Sequence, residues 1–140
     1  MTGRVFLDTN VLVYADDMDA GAKRDRAQAV LKDVMAAGSG VVSTQVLQEF
    51  FVVTTRKLGV AADLAQRKVE LLMRMDVVLI RPELILAAID LHRLRGLSFW
   101  DALVVKAASA SGCARLLTED LADGSVVDGV RVENPFTERP

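Results

Sequence analysis

In 140 residues the chain has one cysteine, Cys113, and one histidine, His92. A single cysteine excludes an internal disulfide framework and a cysteine-based zinc cluster. A single histidine excludes a multi-histidine metal centre and makes a histidine-centred triad improbable. There is no excess of charge: 17 Lys and Arg stand against 19 Asp and Glu, a net charge of −2. Without a global basic field, a nucleic-acid partner would have to be held locally or through metal ions. No apolar run approaches the roughly 18 residues of a spanning helix. The N-terminus lacks the charged region and apolar run of a secretory signal. The expectation is a cytoplasmic protein with no membrane attachment.

What is present reads as one domain over residues 1–140. A chain of this size buries roughly two-thirds of its unfolded surface, enough for a core without covalent staples. Hydrophobic residues make up 51% of the chain, rich for a monomer, which points to an oligomer or a bound partner. No repeat, low-complexity block or linker interrupts the sequence. Val5-Phe6-Leu7 is a short apolar run of the kind that fills a buried strand. It stops at Asp8-Thr9-Asn10, three oxygen-bearing side chains, before Val11 to Tyr14 resume an apolar stretch. A polar loop follows from Asp16 to Gly21. Helices are predicted over Ala22–Ala37, Gln45–Lys57, Asp63–Met75, Pro82–Arg95 and Phe99–Ser111, from apolar spacing and from Ser, Gly and Pro at their ends. Short strands are predicted at Val41-Val42, Val77–Ile80 and Ala114–Leu117, with a weakly alternating edge strand over Val126–Val132 and an irregular tail over Asn134–Pro140. Strands alternating with helices give an α/β fold with a mostly parallel sheet, its strand order left open.

In such folds ligands bind at the carboxyl ends of the strands, so acids at those ends are candidates for chemistry. Asp8 ends the first run; an Asx-turn or N-cap would explain it equally. Glu49 sits at the margin of the apolar stripe Val46, Leu47, Phe50 and Val53, where it must find a partner, such as Arg56, a cation, or water. Asp101 falls three residues after Ser98, as in a capping box, beside Trp100, the only tryptophan; the apolar residues after it predict a largely buried helix start. Asp120 follows Leu117-Thr118-Glu119; a turn or cap role would also explain Thr118 and Asp120, and Glu119 and Asp123 are rival acids. Three acids at strand ends or helix starts, with Glu49, form a set of hard oxygen donors. Without Cys or His, that set suits Mg2+ or Mn2+. One or two such ions activate water and stabilise charge on a phosphodiester under attack.

Four stretches carry a resemblance. They are Leu7-Asp8-Thr9-Asn10-Val11-Leu12-Val13-Tyr14, Ser43-Thr44-Gln45-Val46-Leu47-Gln48-Glu49-Phe50, Ser98-Phe99-Trp100-Asp101-Ala102-Leu103 and Leu117-Thr118-Glu119-Asp120-Leu121. In this order and spacing they resemble the signature blocks of PIN-domain ribonucleases, and VapC-type toxins of bacterial type II toxin–antitoxin pairs above all. The resemblance spans nearly the whole chain. It implies a PIN-like three-layer α/β/α sandwich and a metal-dependent endoribonuclease acting on RNA, with a tRNA or rRNA loop as target class. It makes Asp8, Glu49, Asp101 and Asp120 the catalytic acids, with Asp8, Asp101 and Asp120 on the metal and Glu49 acting partly through water held there. Thr9, Asn10 and Thr118 would support these acids by hydrogen bonds. Asp120 is chosen over Glu119 and Asp123 because the family pattern sets its fourth acid two residues after a Thr or Ser. A homodimer and a cognate antitoxin are implied as partners, with the apolar helix Asp63–Met75 as a surface for the antitoxin or as ordinary core.

Two other readings compete. A haloacid-dehalogenase-like phosphatase also places an Asp after its first strand, but it needs a second Asp where this chain has Asn10. A catalytically silent PIN-like module would capture RNA or a partner without turnover; the presence of all four acids argues against it. His92 reads as a solvated side chain and Cys113 as a small buried residue. Arg93, Arg95 and Arg115 are candidates for phosphate contact, although the first pair also suits the end of a helix.

Overall fold

The fold is taken from a computed structural model that describes residues 3–137. It begins on β1 (Arg4–Leu7), whose Val5, Phe6 and Leu7 are fully buried, as an all-apolar run predicts. The chain continues through α1 (Thr9–Asp16), α2 (Ala22–Ala37), β2 (Gly40–Ser43), α3 (Thr44–Arg56), α4 (Ala62–Leu72), β3 (Asp76–Val78), α5 (Pro82–Arg95), α6 (Phe99–Ala110), β4 (Cys113–Leu117), β5 (Val126–Val127) and β6 (Val130–Glu133). The strand order is β3-β2-β1-β4-β6-β5, parallel throughout except for β5 against β6.

From β1 the chain steps outward to β2 and β3, then returns to lay β4 on the other side of β1. Right-handed crossovers running in opposite directions put their helices on opposite faces. Accordingly α1 packs on α2 and α3, and α3 on α4, while α5 packs on α6. The result is a three-layer α/β/α sandwich. The reversal leaves a crevice at the carboxyl ends of β1 and β4, where Leu7 lies level with Leu117.

Local chemistry explains most boundaries. Ser43 and Ser98 cap α3 and α6, accepting from the N–H groups of Val46 at 3.2 Å and Asp101 at 3.1 Å. Gly38 and Gly96 end α2 and α5 in the left-handed conformation. Gly40 serves a different purpose. A Cβ there would come within 2.7 Å of Val34 Cγ1 and 2.5 Å of Met75 Sδ, so only glycine lets β2 pass beneath α2.

Three expectations need correction. The Val126–Val132 segment is a hairpin, because Asp128 and Gly129 both take positive φ and make a two-residue turn that pairs Val127 with Val130. β3 starts one residue early and ends at Val78; Leu79 is exposed, and the Ile80 N–H turns to Thr44 Oγ1 at 3.2 Å. α4 stops at Leu72, with Leu64, Leu71 and Met73 exposed, so only part of its apolar content is core. Residues 134–137 form no helix or strand, as expected of the tail, and 138–140 lie outside the described residues. Among the described residues no helix is long and apolar enough to cross a membrane.

Candidate active site

The end of β1 and the end of β4 are tied side by side. The Asp8 N–H donates to Leu117 O at 3.0 Å, extending the ladder past both strands. Asp8 is 5% exposed. Its Oδ1 accepts from the Thr9 N–H at 2.7 Å and its Oδ2 from the Thr118 hydroxyl at 2.7 Å. Burial nevertheless pushes its pKa up to about 6. The two hydrogen bonds oppose that rise, and the nearby charges of Asp120 and Glu49 add to it.

Asn10 and Thr9 extend the contact to the other acids. Asn10 Nδ2 donates to Asp120 Oδ2 at 3.0 Å and to Thr118 Oγ1 at 3.3 Å. Thr118 Oγ1 also accepts from the Asp120 N–H at 3.1 Å, holding the loop after β4 against β1. The Thr9 hydroxyl donates to Glu49 Oε1 at 2.8 Å, and Gln45 Nε2 reaches Glu49 Oε2 at 3.4 Å. Glu49 therefore pairs with hydroxyl and amide donors rather than with Arg56. Asp101, at the start of α6, is half-buried. Its carboxyl is raised by burial first, against the hydrogen bond to Ser98, and then by the charges of Asp120 and Glu49.

Asp8, Glu49, Asp101 and Asp120 all line one cavity of about 580 Å3 at the crevice. The rival acids are placed differently. Glu119 also borders the cavity, but it accepts from the Tyr14 hydroxyl at 2.5 Å and pairs with Lys23 at 2.9 Å. Burial would raise its pKa, yet these two partners hold it below the ordinary carboxylate value. Asp123 accepts from the Asn134 N–H at 2.9 Å and does not border the cavity.

Among the described residues no group of three or more His, Cys, Asp or Glu side chains is arranged to hold a metal ion. The chemistry of the cavity still fits a hard divalent cation. Two of its carboxyls are raised in part by the same two neighbouring charges. Two amide oxygens of its lining residues, Asn10 Oδ1 and Gln45 Oε1, are buried without a hydrogen-bond partner. An all-oxygen donor set under mutual repulsion is what Mg2+ or Mn2+ relieves.

Other conspicuous residues lie elsewhere. His92 is exposed and its Nδ1 is bonded to the backbone oxygen of Leu97. Arg115 pairs with Glu133 at 2.8 Å beside a separate, smaller cavity, so it is not positioned to meet phosphate at the acids. Arg93 and Arg95 are exposed at the end of α5, away from the cavity. Cys113 is buried, and burial raises its thiol pKa. Trp100 corrects the expectation of a buried helix start: it is 60% exposed and borders the cavity. Lys57, the C-cap of α3, also borders it and was not singled out from sequence as a site residue. Tyr14 and Lys23, which fix Glu119, carried no sequence signal beyond residue type.

The fold and these residues can be set beside known proteins. A chain of a toxin–antitoxin complex from Klebsiella pneumoniae superposes with a TM-score of 0.69 at 21% identity, covering 94% of this chain and 98% of that one. VapC20 of Mycobacterium tuberculosis, a Sarcin-Ricin loop cleaving toxin, gives a TM-score of 0.63 at 21% identity, covering 80% of this chain and 86% of that one. VapBC2 from Rickettsia felis, bound to a DNA fragment from its promoter, gives 0.64 at 20% identity, with 93% and 97% coverage. No curated protein matches the sequence. The model of the PIN domain matches residues 5–122, which include all four acids; the chain belongs to the PIN domain family.

Proposed function

We propose that this protein is a divalent-metal-dependent endoribonuclease, the toxin of a toxin–antitoxin pair. The observation that carries the reading is the convergence of Asp8, Glu49, Asp101 and Asp120, from four separate elements, on one cavity at the crevice between β1 and β4. The likeness to structures named as toxin–antitoxin complexes and as a Sarcin-Ricin loop cleaving toxin supports it. The target class is an unpaired loop of tRNA or rRNA.

Asp8, Asp101 and Asp120 would hold Mg2+ or Mn2+. When bound, the ion lowers the pKa of attacking water and offsets charge on the phosphate. Thr118 and the Thr9 N–H fix the rotamer of Asp8, so both of its oxygens keep a set direction. Asn10 holds Asp120 against β1. Glu49, held by Thr9 and Gln45, would take a proton from the attacking water at one of its carboxylate oxygens.

The antitoxin site we propose is the apolar groove of about 750 Å3 between α3 and α4, lined by Leu47, Phe51, Val52, Val69 and Met73. Gln48 and Val52 border both this groove and the acidic cavity, so a segment lying in one could reach the other. A homodimer and a cytoplasmic setting complete the proposal.

The test is cleavage of total bacterial RNA by purified, partner-free protein in Mg2+, in Mn2+ and in chelator, beside Asp8→Ala. Discrete fragments that require metal and vanish in the variant are expected, and mapping their ends identifies the target. Folded protein that cleaves nothing under any of these conditions would overturn the nuclease in favour of a silent binding module.

A further inference from the structure

We infer that Trp100 is the stacking platform for a nucleobase next to the scissile phosphate, and that it makes the site select unpaired RNA over duplex; this rests on the nuclease reading above. Trp100 is the only tryptophan in the chain, and it leaves 60% of its surface in water. So large an aromatic surface is costly to expose. It borders the acidic cavity one residue before Asp101. It also belongs to the first turn of α6, whose start is fixed by the Ser98 cap. Phe99, packed against the core, meets the indole edge-to-face at 5.1 Å and 73°, which holds the ring without stacking on it.

The other aromatic residue bordering the cavity is already engaged. The Tyr14 ring meets Phe136 at 5.0 Å and Lys23 at 4.9 Å, and its hydroxyl is given to Glu119. Trp100 is thus the indole left for a ligand. Charge explains why one is needed. A chain of net charge −2, with four acids at its site, draws no polyanion by its field. Lys57, on the cavity's border, offers one local cation. An uncharged aromatic face holds a base without meeting that repulsion, and it serves any base because every base has a π-face. A base inside a duplex is already stacked and must be extracted first, which disfavours double-stranded substrate.

Because Trp100 is the sole tryptophan, the protein's own tryptophan emission reports on this side chain alone. The experiment titrates the full chain carrying Asp8→Asn, so that no cleavage intervenes, with a short oligoadenylate and with an RNA duplex of equal length, both in Mg2+. The expected result is quenching by oligoadenylate and little by the duplex. Trp100→Ala should weaken oligoadenylate binding about ten- to a hundredfold, measured by anisotropy, with partial recovery in Trp100→Phe. In the chain with native Asp8, Trp100→Ala should raise KM for single-stranded RNA while the melting temperature stays unchanged. Saturating RNA without any change in emission, or equal affinity in Trp100→Ala, overturns the inference and leaves the nuclease intact. Emission that shifts with protein concentration alone overturns it in favour of a contact between copies. Failure of every form to bind or cleave RNA overturns the nuclease reading itself.

Discussion

Asp8 shows what burial does to a single carboxyl. Its folded pKa, about 6, lies above the ordinary value of 3.8, so between these pH values the folded chain holds a proton that the unfolded chain has lost. Stability is therefore full below pH 3.8, falls as pH rises through this window, and stays reduced above pH 6. The shift corresponds to about 3 kcal/mol. In chelator, the urea stability of the native chain should fall relative to Asp8→Asn between pH 4 and 7, making the variant the more stable of the two at neutral pH while inactive. The difference between the two curves isolates Asp8, since Asp101 shifts in the same direction and Glu119 in the opposite one. A difference that does not vary with pH would mean that Asp8 is ionised at no cost. The neighbouring acids separate on the same logic. Glu119 is committed to Tyr14 and Lys23, whereas Asp120 is held by Asn10 and by its own loop. Asp120→Asn should raise the Mg2+ concentration for half-maximal cleavage by about tenfold or more, and Glu119→Gln should leave it nearly unchanged. Activity titrations against Mg2+ decide between them.

Elements are where the sequence was most legible. The caps Ser43 and Ser98 and the terminal glycines Gly38 and Gly96 act within one turn of where they stand, so composition alone revealed α3, α6, α2 and α5. What was misread depends on long-range context. The Asp128-Gly129 turn lies inside a run of valines whose alternation also suits one continuous strand. Trp100 lies on the same helical face as buried Leu103 and Val104, yet in the first turn of α6 it is exposed at the border of the cavity, which periodicity alone does not reveal. Gly40 closes the run Gly38-Ser39-Gly40 after α2, and nothing local marks it as the point at which β2 and α2 come too close for a side chain. Gly40→Ala should destabilise the chain by about 1–3 kcal/mol, since overpacking forces a stiff Val34 to move. Met75 can bend aside more cheaply than a β-branched valine. Val34→Ala introduced together with Gly40→Ala should therefore recover part of the loss, and urea midpoints of the single and double variants measure that coupling.

At the scale of the molecule, the site exists because the chain reverses direction at β1. Asp8 and Thr118 are 110 positions apart, yet they share a 2.7 Å hydrogen bond. Nothing local predicts that contact; it follows from β4 returning to the free side of β1. The sequence could nominate the acids, but only the strand order brings them to one cavity. The same topology gives a bound ion an effect on the whole fold. An ion held by Asp8, Asp101 and Asp120 would tie β1, α6 and the loop after β4 together, elements that the unfolded chain keeps far apart. Binding to the folded state alone stabilises by RT ln(1 + [L]/Kd), about 2.7 kcal/mol at a hundredfold excess over Kd. For a chain of this length that amounts to a rise of roughly 10 °C in Tm. Mg2+ and Mn2+ should therefore raise Tm in proportion to the logarithm of their concentration, and Asp8→Asn and Asp101→Asn should abolish the rise. The measurement needs no substrate, so it separates metal binding from catalysis. A Tm that ignores both ions in the native chain, while RNA is still cut, would move the chemistry away from these acids altogether.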